Sequence, residues 1–225
     1  MDEPFIDFIR TNLSYNYTHN QKDYLLFLRI PKNASSSIMK HLGERNLLEK
    51  YRVKLQASLD SEIYKGVFDA THARPHELES IINSIELRAF SFAVVRNPWD
   101  RVVSMYHFGN EMGLAHLFGL SNNLSFEDFC ETLHSRATDR LFIAAFKQVE
   151  WTHNSIEVNK ILRFENLSQD FSDMIKDHDI QGISPSLPHI NRTNHKHYRD
   201  YFTSDTQKII RSTFEEDCDV FKYSF

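Results

Sequence analysis

Three groups of residues in this chain are of types that handle anions or protons. The first is Pro31-Lys32-Asn33-Ala34-Ser35-Ser36-Ser37, one lysine followed by small polar residues. Small residues let main-chain N–H groups close around an anion, and a helix starting in the serines adds ~0.3–2 kcal/mol for negative charge at its N-terminus. Lys32 puts a mobile cation at the same place. The second group is Arg96-Asn97-Pro98-Trp99-Asp100-Arg101 with Ser104 beyond it. A guanidinium there can grip a phosphate bidentately. The plainer alternatives are a strand-to-helix turn with a serine cap for the first group, and a structural salt bridge from Arg96 or Arg101 for the second. The third group is His72 and His76. Histidine titrates near neutrality and suits proton removal from a hydroxyl. The four-residue spacing also suits zinc on a helix, but Pro75 interrupts it and no third ligand is evident, so no metal is expected. His76 reads as a solvated first-turn residue.

These residues need a scaffold that brings them to one edge. Tyr24 to Ile30, Ala89 to Val95 and Lys160 to Phe164 are short, apolar and bounded by polar residues, which predicts buried strands. Val67 to Thr71 is a weaker fourth. Continuous apolar runs suit strands covered on both faces, as in a parallel sheet. Helices are expected at Ser35 to Asn46, Pro75 to Ile85, Pro98 to Phe108, Phe126 to Leu133, Leu167 to Lys176 and Asp205 to Glu216. Strands alternating with helices predict an α/β fold with a central parallel sheet. With only six Gly and six Pro, and no linker or repeat, the whole chain, residues 1–225, reads as one domain.

Local signals agree. Ser35 or Ser36 suits the cap of the first helix, and Asn97 the cap of the third, with Pro98 at its first position. Lys32 and Arg96 then follow the C-terminal ends of strands, where open α/β sheets bind ligands. His72 follows the weaker strand in the same way. Trp99 and Tyr106 are expected to pack their helix against the sheet. Glu165 fits either an acid catalyst or, more simply, a cap for the helix after it.

The bulk numbers exclude several classes. Net charge is −5, so no global positive field points to nucleic acid or an anionic membrane. No apolar run approaches the length that spans a bilayer, and the first residues do not look like a signal peptide. The two cysteines, Cys130 and Cys218, read as ordinary thiols of a reducing compartment. Asn33-Ala34-Ser35 is a glycosylation sequon inside the expected anion loop, where a glycan would block the site. A cytoplasmic location is expected.

Taken together, Ile30-Pro31-Lys32 with its serine-rich turn, then Val95 to Arg101 and Ser104, resemble the donor-binding pair of the sulfotransferase superfamily. The donor there is 3'-phosphoadenosine 5'-phosphosulfate (PAPS). The likeness is closest to the carbohydrate-type branch, with its hexuronyl and chondroitin-type enzymes and soluble bacterial relatives. It continues through Gln148 to Trp151, Leu162 to Leu167, and His197 to Tyr201 through Asp219 to Tyr223, and covers most of the chain from about Tyr24. The resemblance implies a three-layer phosphate-loop fold like that of P-loop NTPases. It implies that Lys32, Asn33, Ala34, Ser35, Ser36 and Ser37 hold the 5'-phosphosulfate, while Arg96 and Ser104 hold the 3'-phosphate. Thr71-His72-Ala73-Arg74 resembles the soluble members near their catalytic His or carboxylate. Ala34 and the serines depart from the commoner Gly or Thr of this turn.

The implied reaction moves a sulfuryl group from PAPS to an acceptor hydroxyl, on a carbohydrate by the family's leaning. Lys32 would stabilise the leaving phosphate and His72 would act as general base. A phosphate-loop kinase is the first alternative. It needs G-x-x-x-x-G-K-[ST] and an acidic magnesium ligand, whereas this chain has Arg96 at the second strand end. A non-catalytic nucleotide- or glycan-binding module is the second. Gly109 to Asn123 and Ile183 to Asn194, the latter carrying His189 with His195 and His197 just beyond, are the expected acceptor walls.

Overall fold

The computed structural model describes residues 25–43, 72–78, 90–111, 113, 124–140, 142–153, 158–187 and 196–225. Three of its segments are strands: β1 (Leu25–Leu28), β2 (Phe90–Val95) and β3 (Lys160–Arg163). They form one parallel sheet in the order β1-β2-β3, with Leu28 opposite Ala93 and Val95 opposite Arg163. All four residues of β1 are buried, as are five of six in β2. β1 and β2, which read as unbroken apolar runs, are therefore covered on both faces as expected, whereas β3, also expected to be buried, buries only Leu162 and exposes Arg163.

Alternate strand residues feed two cores. Leu25, Phe27, Phe92 and Val94 meet helix α1 (Ser35–Leu42) through Ile38 and Leu42, and helix α5 (Leu167–Asp177) through Phe171 and Met174. Phe27 stacks on Phe92 at 4.9 Å between ring centroids, and Phe171 meets Phe92 edge-on. Leu26, Leu28, Ala93 and Val95 face the other layer. That layer contains α2 (Pro98–Glu111), α3 (Phe126–Ser135), α4 (Val149–Thr152), α6 (Ser204–Thr213) and α7 (Glu215–Phe221). The result is the expected α/β class, helices on both faces of a central parallel sheet. Among the described residues, no helix is long and apolar enough to cross a membrane.

Several expectations change in detail. The C-terminal helix, expected over Asp205 to Glu216, is two helices that break at Phe214 (φ −114°, ψ 34°). The Phe214 ring is buried beneath the Arg101 guanidinium. Pro75–Leu78 is a 3-10 turn, and the rest of the helix expected there lies outside the described residues. So do the weak strand Val67 to Thr71, His189, His195 and most of both expected acceptor walls. Tyr106 packs on Phe126 and Phe129 of α3, its hydroxyl donating to the Leu124 carbonyl at 3.1 Å, so it braces helix against helix rather than helix against sheet. Burial pushes the Cys130 thiol up to about 12 and that of Cys218 up to about 11, as suits inert thiols.

Candidate active site

The parallel register sets three corners side by side. The Lys32 turn leaves β1, Arg96 leaves β2, and Glu165 lies just past β3. All three occupy the C-terminal edge of the sheet, where a ligand is expected.

The first corner is an unusual turn. Lys32 (φ 69°) and Ala34 (φ 60°) both adopt left-handed conformations without being glycine. Such residues cost of order 1–3 kcal/mol and persist where the surroundings over-determine them. Here the surroundings hold the turn's carbonyls and its asparagine. Arg101 Nε donates to the Pro31 carbonyl at 3.1 Å, and Arg96 donates to the Lys32 carbonyl at 3.0 Å. Asn33 is buried and donates through Nδ2 to the Val94 carbonyl at 2.7 Å and to Gln148 Oε1 at 2.6 Å. Ser35 Oγ donates back to the Ile30 carbonyl. The expected serine cap is therefore not made: left-handed Ala34 occupies the cap position, without a side-chain cap bond, because Ser35 points into the turn. With the carbonyls bound on the inner side, α1 starts directly from the turn: Ser37 N and Ile38 N donate to the Ala34 carbonyl at 3.1 and 3.2 Å, and the N–H groups before them have no acceptor within the helix. Ser36 is exposed at that end.

The second corner follows the expected design. Asn97 caps α2, its Oδ1 accepting from Trp99 N at 3.0 Å. Arg96 forms the ion pair expected as the plainer alternative, to Asp100 at 2.8 Å, and stacks over Phe164. Nε and one terminal nitrogen are thus committed to Asp100 and to the Lys32 carbonyl. Asp100, Ser104 and Phe108 share one face of α2. Asp100 meets Arg96, and Lys32 Nζ lies 3.7 Å from the Phe108 ring centroid, so Ser104 falls between the arginine and the lysine along the helix.

His72 is buried, and its carbonyl accepts from Trp151 Nε1 at 3.1 Å. Beyond it, Arg74 pairs with Glu77 and Glu150. His76 is exposed, as expected. His197 is also exposed, and its Nδ1 accepts from Arg199 N.

Two supports, Gln148 and Asp217, were not recognised from the sequence as parts of the site, and Arg101 and Glu165 serve it in ways the sequence did not indicate. Gln148 is fully buried between the first two corners, with Oε1 accepting from both Asn33 Nδ2 and Arg96 N, and Nε2 donating to the Arg96 carbonyl. Asp217 accepts from the main-chain N–H groups of Gln148 and Val149 at 2.9 and 3.0 Å. Burial pushes the Asp217 carboxyl above its usual range, against those two bonds and the Arg101 charge. Arg101 is buried too, which brings it down to about 10, so it stays cationic at neutral pH. Glu165 does not cap its own helix. It reaches across to accept from Asn97 N at 2.6 Å and from Tyr223 Oη at 3.0 Å. Burial and the Glu165 carboxylate push the Tyr223 hydroxyl up. The signal for Asp217 lies in spacing: Ile210, Phe214, Cys218 and Phe221 mark a buried stripe that includes position 217. For Gln148 it is one amide in the stretch from Phe142 to Trp151, which is apolar apart from Lys147, Glu150 and the amide itself.

A lysine turn at one strand end and an arginine with a hydroxyl at the next have the chemistry to hold a doubly anionic ligand. A model of the sulfotransferase family matches residues 15–224. The chain belongs to the sulfotransferase family. No curated protein and no solved structure produced a match. Sulfotransferases share the phosphate-loop type of fold, and the α/β layers here are of that kind. Sulfuryl transfer is the chemistry that this sulfotransferase's site has to serve, and the family generally draws its sulfuryl group from PAPS.

Proposed function

We propose that this sulfotransferase moves a sulfuryl group from PAPS to a hydroxyl of a carbohydrate acceptor. The observation that carries the reading is the pairing of corners: the left-handed Lys32 turn at the end of β1 lies beside Arg96 at the end of β2. The two ends of PAPS are two anions of different kinds, and each corner suits one. The turn from Lys32 to Ser37, with the start of α1, takes the 5'-phosphosulfate through main-chain N–H groups and the lysine. The side chains of Asn33 and Ser35 are turned inward, so their contribution is to hold the turn's shape. Arg96 and Ser104 take the 3'-phosphate.

In the transfer, the acceptor oxygen attacks sulfur in line with the 5'-phosphate oxygen. One S–O bond forms to the acceptor as the S–O bond to the phosphate breaks. The leaving adenosine 3',5'-bisphosphate keeps the bonding electrons, and Lys32 stabilises the charge that develops on it. The acceptor proton passes to His72. Metal plays no part in this scheme. The inward-facing Asn33 fits the expected cytoplasmic location: a glycan on Nδ2 would displace two buried hydrogen bonds of the turn.

The test is transfer of label from PAPS to a panel of saccharides in the presence of a chelator. Labelled product is expected, Lys32→Ala should lower the rate ~100- to 1,000-fold, and His72→Ala by ~10²–10⁴-fold with His76→Ala near wild type. Binding of adenosine 3',5'-bisphosphate with no transfer to any acceptor would favour a non-catalytic module instead.

A further inference from the structure

The two ligand-facing corners belong to different strands, and their spacing has to match the ligand. One buried side chain touches both. Gln148 Oε1 accepts from Asn33 Nδ2 in the first corner at 2.6 Å and from Arg96 N in the second at 2.9 Å. Its Nε2 closes a ring by donating to the Arg96 carbonyl at 2.9 Å. Gln148 is itself fixed from behind, because its main-chain N–H donates to buried Asp217 at 2.9 Å. No apolar side chain of the same size would serve: it would leave Asn33 Nδ2 one acceptor short and both main-chain polar groups of Arg96 unmatched where Gln148 is fully buried.

We propose that Gln148 is a positioning residue that sets the distance between the Lys32 turn and Arg96, and so matches the site to a ligand charged at both its 5' and 3' ends. The inference rests on the donor reading above. It deepens that reading by assigning discrimination between 3'-phosphorylated and plain nucleotides to a side chain that touches neither phosphate.

The amide is required as an amide. Glutamate at 148 has two acceptors and no donor, so it faces the Arg96 carbonyl with like polarity. A protonated glutamic acid again has one acceptor and one donor in nearly the same shape. Burial raises a carboxyl pKa above the reference of ~4.3, so the acid form is within reach at mildly acidic pH.

The experiment measures the affinities of adenosine 3',5'-bisphosphate and AMP by calorimetry, for wild type and Gln148→Glu, at pH 7.5 and pH 5. Each ratio is compared with wild type at the same pH, because the phosphates also titrate. A variant that merely destabilised the fold would weaken both ligands together and leave the ratio alone. The expected result is a wild-type preference of roughly tenfold or more for the bisphosphate, falling to within about threefold in Gln148→Glu at pH 7.5 and returning towards wild type at pH 5. A ratio in Gln148→Glu equal to wild type at both pH values would overturn the proposal. So would a ratio lost at pH 7.5 that stays lost at pH 5 in folded protein. If Gln148→Glu yields no folded protein, Asn33→Ala removes one arm of the bridge and the same ratio decides: a fall supports the proposal, and a wild-type ratio overturns it. Failure of the donor reading looks different, since wild type itself would then show no preference.

Discussion

The main-chain N–H of Asn97 donates to Oε1 of Glu165 at 2.6 Å, joining the end of β3 to the corner that carries Arg96. The other oxygen of the same carboxylate takes the hydroxyl of Tyr223, so three distant parts of the chain meet on one side chain. This places Glu165 in a structural role. Glu165→Gln keeps an acceptor for Asn97 and should turn over within a few-fold of wild type. Glu165→Ala strands the Asn97 N–H and should cost about 1–3 kcal/mol in chemical denaturation. A ~100-fold loss of turnover in Glu165→Gln, with stability intact, would instead mean that the carboxyl handles a proton.

Ala34 holds a left-handed conformation at the start of α1, which the methyl group disfavours and glycine does not. Ala34→Gly should therefore stabilise the fold by about 1 kcal/mol, the gain being largest where alanine is forced to positive φ. For a chain of this length that is a rise in Tm of about 2–4 °C. A lowered Tm would show that the conformation costs little here. Glycine brings no side chain into the turn, so nucleotide affinity should be kept.

Asp217 makes a pH prediction with a definite sign. Burial raises its pKa in the folded protein above its ordinary value of 3.8. The folded state then holds the proton more tightly than the unfolded state. Its contribution to stability is fully present below the unfolded pKa and is lost as pH rises through the higher folded value. Asp217→Asn cannot titrate. The stability of wild type minus that of Asp217→Asn, from urea unfolding, should fall from pH 4 towards pH 7. A difference that rises over that range would reverse the assignment, making attraction to Arg101 dominant over burial.

The sheet was legible because its strands are short unbroken apolar runs, and runs such as Leu25 to Leu28 leave few other structures to choose from. The second corner was legible because Asn97 and Pro98 specify a helix start by local chemistry alone. The first corner was only partly so. Its place after β1 could be read, but its shape depends on Arg101, Arg96 and Gln148, which lie 64 or more positions away and override the serine cap that local preference favours. Glu165 was misassigned for the same reason: a carboxylate before a helix suggests a cap, and only the register of β3 against β2 shows that it faces Asn97. The break at Phe214 was hidden because both halves keep helical spacing, and the ring's place under Arg101 is a tertiary contact.

On the proposed function, the site takes a ligand with phosphates at both ends of its ribose. Calorimetry of the wild-type protein with adenosine 3',5'-bisphosphate and with AMP, at the same pH and salt, tests it most directly. The contact of Arg96 and Ser104 with the 3'-phosphate should be worth ~1.5–3 kcal/mol, a preference of about 10- to 150-fold for the bisphosphate. Arg96→Ala should lose most of that preference. Equal affinities for the two ligands in the wild-type protein would contradict the account.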